Sequence, residues 1–283
     1  MKQGRRGTLL SRLLGGLIVM ATLAVTLPAS AEDAIDRILS AKQLKIGYIP
    51  SPPGTIKDPA TGNVGGFYVD AIRLVAKQMG VEPVFIETTW ANFPAGLNSG
   101  QFDISIAGTF ATIGRATAVA FTKPIWYLGY SAVVKKGDTR FETLADMDKP
   151  GIKIAVTQGG AGQEFAKEFF KNAELVSLAT GNLAAVFVEV TAGRVDVGIE
   201  DAWTARRYSA EHPEVTNLFA DHPYNLLPIS WSVKKGNQEM LNFLNTAIDY
   251  LLSTGRWEKM AEPYGPNGRY KVTYPLEVFG PKK

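Results

Sequence analysis

From residue 40 onward, short apolar strands alternate with segments of helical period. Leu44-Lys45-Ile46-Gly47-Tyr48-Ile49 reads as a strand, and the Pro- and Gly-rich stretch 50–65 reads as loops with room for a hairpin. Phe67 to Met79 sets Phe67, Ala71, Leu74, Val75 and Gln78 at helical spacing, with Gly80 as the stop. Val84 to Thr88 reads as a strand, Ala91 to Asn98 as a short helix ended at Gly100, and Ile104 to Ala107 as a third strand. A second run of the same kind begins with the strand Ile152 to Val156. Such alternation predicts an α/β fold with a largely parallel sheet.

The two runs echo each other. Residues 100–106 and 193–199 both read G-x-φ-D-φ-x-I, where φ is apolar. Coincidence between common helix–turn–strand connections is one explanation, and two lobes of similar plan is the other. Tyr130 to Lys136 and Ile229 to Lys235 are the strands that could cross between the lobes, each ending in paired lysines before a Gly. The helix Met240 to Ser253 and the tail would return to the first lobe. The expected division is therefore lobe 1 over 32–130 and 231–283, and lobe 2 over 131–230. Ligands of open α/β sheets sit at the carboxyl ends of strands. The candidate loops follow Tyr48, Ile86, Ile106, Val156 and Ile199.

The N-terminus is of another kind. Lys2, Arg5, Arg6 and Arg12 precede an apolar run from Leu13 to Leu27 and the small residues Pro28-Ala29-Ser30-Ala31. This is the layout of a cleaved secretory signal, with the cut expected after Ala31. The run is shorter than the roughly 20 apolar residues of a comfortable membrane span. Without the four basic residues of that segment, 26 Lys and Arg face 27 Asp and Glu, a net charge of −1. No basic excess points to a nucleic-acid partner. Cys is absent and His occurs only at His212 and His222, each in acid-His-Pro. Disulfides, thiolate metal sites and a Cys nucleophile are excluded, and a multi-His metal site is not expected. No metal or cofactor is expected.

Three constellations could carry chemistry. Gly108 to Arg115 (G-T-F-A-T-I-G-R) follows a strand and offers the Thr112 hydroxyl and the Arg115 fork, which matches a carboxylate. A solvated arginine on a helix turn is the plain alternative. Thr157 to Gln163 (T-Q-G-G-A-G-Q) is a glycine-rich strand-to-helix turn, suited to an anionic group or simply to close packing. Glu200-Asp201 ends an apolar strand, where Asp201 could hold an ammonium group or cap a helix. Trp90, Trp126, Tyr127 and Tyr48 stand at strand or loop ends and could wall a pocket. Trp203, Trp231 and Trp257 read as core residues.

Taken in order, several of these residues resemble those of the periplasmic solute-binding proteins of polar amino acid ABC transporters, family 3. The resemblance runs through Pro52-Pro53, Gly66-Phe67-x-x-Asp70, Trp90, Leu97-x-x-Gly100-x-x-Asp103, Gly108 through Arg115, Phe121-Thr122-x-Pro124, Gln158-Gly159 and Val195-Asp196-x-x-x-x-Asp201. It implies a two-lobed periplasmic binding protein fold of type II, two α/β lobes joined by two hinge strands. It also implies a monomeric clamp that closes on an amino acid or amino-acid-like solute and delivers it to an inner-membrane permease. By position, Arg115 matches the arginine on the ligand carboxylate and Asp201 the acid on its ammonium. Trp90 matches the stacking aromatic, Gly108 a carbonyl facing the ammonium, and Gly160 and Ala161 the second lobe's amides.

The chain departs from the pattern at Phe110, Gly160 and Ala161, where hydroxyl residues are common. Tyr48 stands where some basic-amino-acid binders carry an acid. The departures predict a larger, apolar or aromatic ligand. The rival readings are a periplasmic dehydratase on the same scaffold acting on prephenate-like acids, with Glu200 as acid, and an interaction partner of an exported enzyme or sensor.

Overall fold

A computed structural model describes residues 34–264. The expected signal segment and the tail beyond residue 264 lie outside the described residues. Helix α1 (Ala34–Ala41) leads into β1 (Gln43–Tyr48). A hairpin of β2 (Ile56–Lys57) and β3 (Val64–Gly65) precedes α2 (Phe67–Met79), β4 (Glu82–Glu87), α3 (Phe93–Ser99), β5 (Ile104–Phe110), α4 (Ile113–Ala116) and β6 (Val119–Phe121). The long β7 (Trp126–Lys135) is followed by α5 (Leu144–Met147), β8 (Lys153–Thr157), α6 (Ala161–Phe169), β9 (Glu174–Leu178) and α7 (Ala185–Thr191). Then come β10 (Val197–Asp201), α8 (Ala202–Glu211), β11 (Val215–Asn217), the second long strand β12 (Tyr224–Lys234), α9 (Gln238–Ser253) and α10 (Arg256–Ala261).

The strands lie in the order β4-β1-β5-β12-β7-β10-β8-β9. At one end β1 runs parallel to β4 and β5, and at the other β8 runs parallel to β9 and β10. Between these triplets the two long strands are antiparallel to each other and to their outer neighbours. A chain that leaves one lobe and returns must run in opposite directions, which accounts for the change of sense. The early residues of β12 pair with β7, Tyr224 opposite Tyr130 and Ile229 opposite Trp126. Its later residues pair with β5 and β6. The later half of β7 pairs with β10.

Each lobe has its own core. One gathers Ile46, Phe67, Ile104, Trp231, Leu244 and Trp257, all essentially buried. The other lobe buries Val134, Ile154 and Val197 on one sheet face and Val133, Phe187 and Tyr208 on the opposite face. Val133 and Val134 serve the two faces because successive strand residues point opposite ways. The repeated motif has a physical counterpart. Asp103 Oδ2 accepts from the Lys45 amide and Asp196 Oδ2 from the Lys153 amide, each at 2.9 Å. Arg37 at 2.5 Å and Arg140 at 2.7 Å complete the two pairs.

Helix α2 has the expected bounds, but its buried face is Phe67, Tyr68, Val69, Ala71, Ile72, Val75 and Ala76, and Gln78 is exposed. The crossing strands begin earlier than expected, at Trp126 and Tyr224, because their opening residues pair with each other. Among the described residues no helix is long and apolar enough to cross a membrane.

Candidate functional site

A cavity opens between the lobes at the ends of β5, β8 and β10. It is lined by Ser51, Tyr68, Trp90, Gly108, Phe110, Arg115, Trp126, Leu128, Gly160, Ala161, Leu183, Glu200, Asp201, Trp203 and Ile229. Its inner volume is about 40 Å³, room for a few small groups. Of the residues singled out above, Trp90, Gly108, Phe110, Arg115, Trp126, Gly160, Ala161 and Asp201 come together here. Thr112 and Tyr48 do not. Thr112 caps α4, accepting from the Arg115 amide at 3.2 Å, and donates to Glu164 Oε2 at 2.8 Å. The Tyr48 hydroxyl donates to Glu87 at 3.2 Å, and its ring meets Phe85 edge on at 6.4 Å. Burial and the Glu87 charge push its hydroxyl up to about 12.

The acidic side comes from the end of β10. Asp201 is the N-cap of α8: Oδ1 accepts from the Trp203 and Thr204 amides at 3.0 and 2.9 Å, and Oδ2 from the Thr204 hydroxyl at 2.6 Å. Asp201 thus takes the cap role and the wall role together. Glu200 is buried beside it, with Oε2 accepting from the Asp201 amide at 3.0 Å and Oε1 within hydrogen-bond distance of no partner among the described residues. Oε1 lies 3.7 Å from where a Cβ on Gly160 would stand, over the start of α6. Desolvation and the Asp201 charge push Glu200 up to about 8. Asp201 is also raised by burial, against the lowering effect of its Thr204 and Trp203 bonds.

The basic side is Arg115, on α4, and every nitrogen of its guanidinium has a protein acceptor. Nε donates to Glu164 Oε1 at 3.1 Å, Nη2 to the Gly159 carbonyl at 2.7 Å, and Nη1 to the Phe110 carbonyl at 3.4 Å. Burial pulls this guanidinium down and the Glu164 charge opposes that pull. Gly159, at φ 71°, sits so close to the other lobe that a Cβ would be 2.8 Å from Ala91 Cα. Only glycine permits that approach.

Rings form the remaining wall. Trp126 meets Trp203 with centroids 4.7 Å apart, and Tyr68 meets Trp126 at 6.1 Å, both edge to face. Phe110 stacks on Tyr130 at 4.8 Å. Tyr68 fills the space above Gly108, where a Cβ would be 2.4 Å from its hydroxyl oxygen. The expectation that Trp203 is a core residue is corrected: it lines the cavity, while Trp231 and Trp257 are core. Sequence reasoning also missed Tyr68, Leu128, Leu183, Ile229 and Glu164. The glycine-rich turn before Glu164 was the available signal for the last; nothing local marked Tyr68. His212 stacks on Tyr208 at 4.0 Å and meets Glu214 at 3.0 Å. No group of acids and histidines that could hold a metal occurs among the described residues.

The profile described as "Bacterial extracellular solute-binding proteins, family 3" matches residues 44–267. A cyclohexadienyl dehydratase of Pseudomonas aeruginosa is 27% identical over 214 residues, 75% of this chain and 79% of that one. Among solved structures, an ancestral amino acid-binding protein described as a precursor of cyclohexadienyl dehydratase superposes with a TM-score of 0.74 at 29% identity, covering 82% of this chain and 99% of that one. A putative binding component of an ABC transporter from Wolinella succinogenes, complexed with lysine, superposes with a TM-score of 0.71 at 32% identity, covering 78% and 95%. These neighbours carry the two-lobed architecture expected above.

Proposed function

The chain belongs to the bacterial extracellular solute-binding proteins, family 3, and on that premise we propose that it binds an amino acid or amino-acid-like solute between its lobes. The observation that carries this reading is the pairing of one buried arginine and two buried acids across a single aromatic-walled cavity. Asp201, with Glu200 behind it, faces the ammonium end. Arg115 receives the carboxylate end. Trp90, Trp126, Trp203, Tyr68 and Phe110 enclose an apolar or aromatic side chain. The carbonyl of Gly108 and the amides of Gly160 and Ala161 complete the head-group site. The lysine complex and the amino acid-binding ancestor among the similar structures support this class of ligand.

The protein does no chemistry in this reading. It is exported to the periplasm through a cleaved signal and hands its ligand, as a monomer, to an inner-membrane ABC permease. The lobes divide at 130/131 and 230/231, inside the two crossing strands, and close by a hinge motion there. The test is a thermal-shift screen of refolded protein against amino acids, opines, quaternary amines and aromatic acids. A ligand at 100 times its dissociation constant adds about 2.7 kcal/mol. A hit carrying both carboxylate and ammonium, and lost in Arg115→Ala, supports the reading. A full panel with no hit defeats it.

A second reading rests on Glu200. A buried carboxyl that lines the cavity, with its pKa pushed up by desolvation and the Asp201 charge, suits a general acid. The dehydratase among the relatives favours this alternative. Consumption of prephenate or arogenate by the wild type but not by Glu200→Gln would establish it.

A further inference from the structure

The guanidinium of Arg115 is already bound to a carboxylate, and that carboxylate belongs to the chain. Glu164, on α6 in the second lobe, places Oε1 3.1 Å from Arg115 Nε and Oε2 2.8 Å from the Thr112 hydroxyl. Arg115 and Thr112 both stand on the loop and short helix that follow β5, in the first lobe. One carboxylate thus spans a two-point cradle of the first lobe from a helix of the second. The Gly159 carbonyl, at the head of the same helix, takes Nη2.

We propose that Glu164 is an internal stand-in for the ligand's carboxylate: it holds Arg115 and the lobes together, and an amino-acid ligand binds by displacing it. The proposal rests on the amino-acid reading of the cavity and adds to it the residue that sets selectivity at the carboxylate end. Two facts make the exchange workable. The Arg115 side chain is 6% exposed, so closing the lobes around it without an acceptor would leave a buried, unpaired charge. Glu164 is 44% exposed, so it can swing into water when another carboxylate arrives. Gly159 lies in the turn that opens α6 and Glu164 in its first turn, so both contacts to Arg115 come from the second lobe.

A solute with an ammonium but no carboxylate leaves Glu164 in place and gains nothing from its removal. A solute with a carboxylate competes with it. With Glu164 half exposed, the ion pair contributes about 1 kcal/mol, about fivefold in affinity. Glu164→Gln therefore binds L-phenylalanine up to about fivefold more tightly than the wild type does, and binds 2-phenylethylamine equally well.

The experiment has two readouts. The chain has no cysteine, so cysteines introduced at the exposed Lys77 and Lys149, one in each lobe, take spin labels uniquely. The distance distribution without added ligand is compared for the wild type, Glu164→Gln and Thr112→Val, with circular dichroism to confirm folding. The short-distance population falls in Glu164→Gln and falls less in Thr112→Val. Calorimetric titrations with L-phenylalanine and 2-phenylethylamine follow. Unchanged distances in Glu164→Gln overturn the proposal, as does weaker L-phenylalanine binding by that variant. If the distances shift but L-phenylalanine binds neither protein, Glu164 still holds the lobes and the amino-acid reading of the cavity is what fails.

Discussion

Trp126 and Trp203 meet edge to face across the cavity, ring centroids 4.7 Å apart and planes at 76°. Trp126 opens the strand that leaves the first lobe, and Trp203 stands in the first turn of α8 in the second. The contact joins residues of the two lobes, and both rings line the cavity. Trp203→Ala lowers ligand affinity about tenfold, in line with an aromatic contact worth about 0.5–1.5 kcal/mol beyond its area. The comparison is Trp257→Ala, deep in the core, which costs about 3–5 kcal/mol of stability. Calorimetry and urea unfolding on both variants separate wall from core.

Asp201 caps α8 and lines the cavity, and its capping role can be parted from the ammonium-binding role proposed for it. Asparagine is as good an N-cap as aspartate. Asp201→Asn should keep the stability of the wild type to within about 0.5 kcal/mol and lose the charge that faces the ammonium. The affinity loss expected for a buried charge partner is about 2–5 kcal/mol. Asp201→Ala loses the cap as well and drops about 1 kcal/mol of stability.

Glu200 gives stability a pH dependence of definite sign. Its pKa rises from 4.5 in the unfolded chain to about 8 in the fold, through desolvation and the Asp201 charge. Between these values the native state holds a proton that the unfolded chain has released. The native state is favoured below the window and loses stability as pH rises through it, by up to about 1.4 kcal/mol per pH unit. Glu200→Gln should flatten the curve of urea midpoints from pH 5 to 8. An unchanged slope in that variant would mean that another group is responsible.

Gly108 has no room for a side chain, because the Tyr68 ring covers it. Tyr68 is 3% exposed and cannot move aside without disturbing Phe67 and Trp126. Gly108→Ala should cost about 1–3 kcal/mol by overpacking and narrow the cavity. Tyr68→Leu in the same chain relieves the clash. Urea unfolding of the two single variants and the double variant gives the coupling.

The bounds of α2 were legible because Phe67, Ala71, Leu74 and Val75 fall at helical spacing and Gly80 marks the stop, while Gln78 turned out to face solvent. The lobe repeat was legible through its two aspartates, each of which accepts from the backbone amide of a lysine, Lys45 on β1 and Lys153 on β8. The early starts of β7 and β12 were not, because Trp126 and Tyr224 become strand residues only by pairing with partners about 100 residues away. Eight of the candidate residues meet in one cavity because they sit at strand ends, where topology sends them. Tyr68 was invisible since a helical tyrosine next to Phe67 looks like any core residue. Trp203 was read as core for the same reason: burial in a cleft and burial in a core give one sequence signal. Tyr48 went the other way, drawn off the cavity by Glu87.

The central claim is that the cavity holds a solute by its ammonium and its carboxylate. The most direct test is calorimetric titration of the best amino-acid hit into refolded wild type, Asp201→Asn and Arg115→Ala. The account predicts one ligand bound per chain by the wild type and a loss of at least about 2 kcal/mol in each variant. Full affinity in both variants would contradict it.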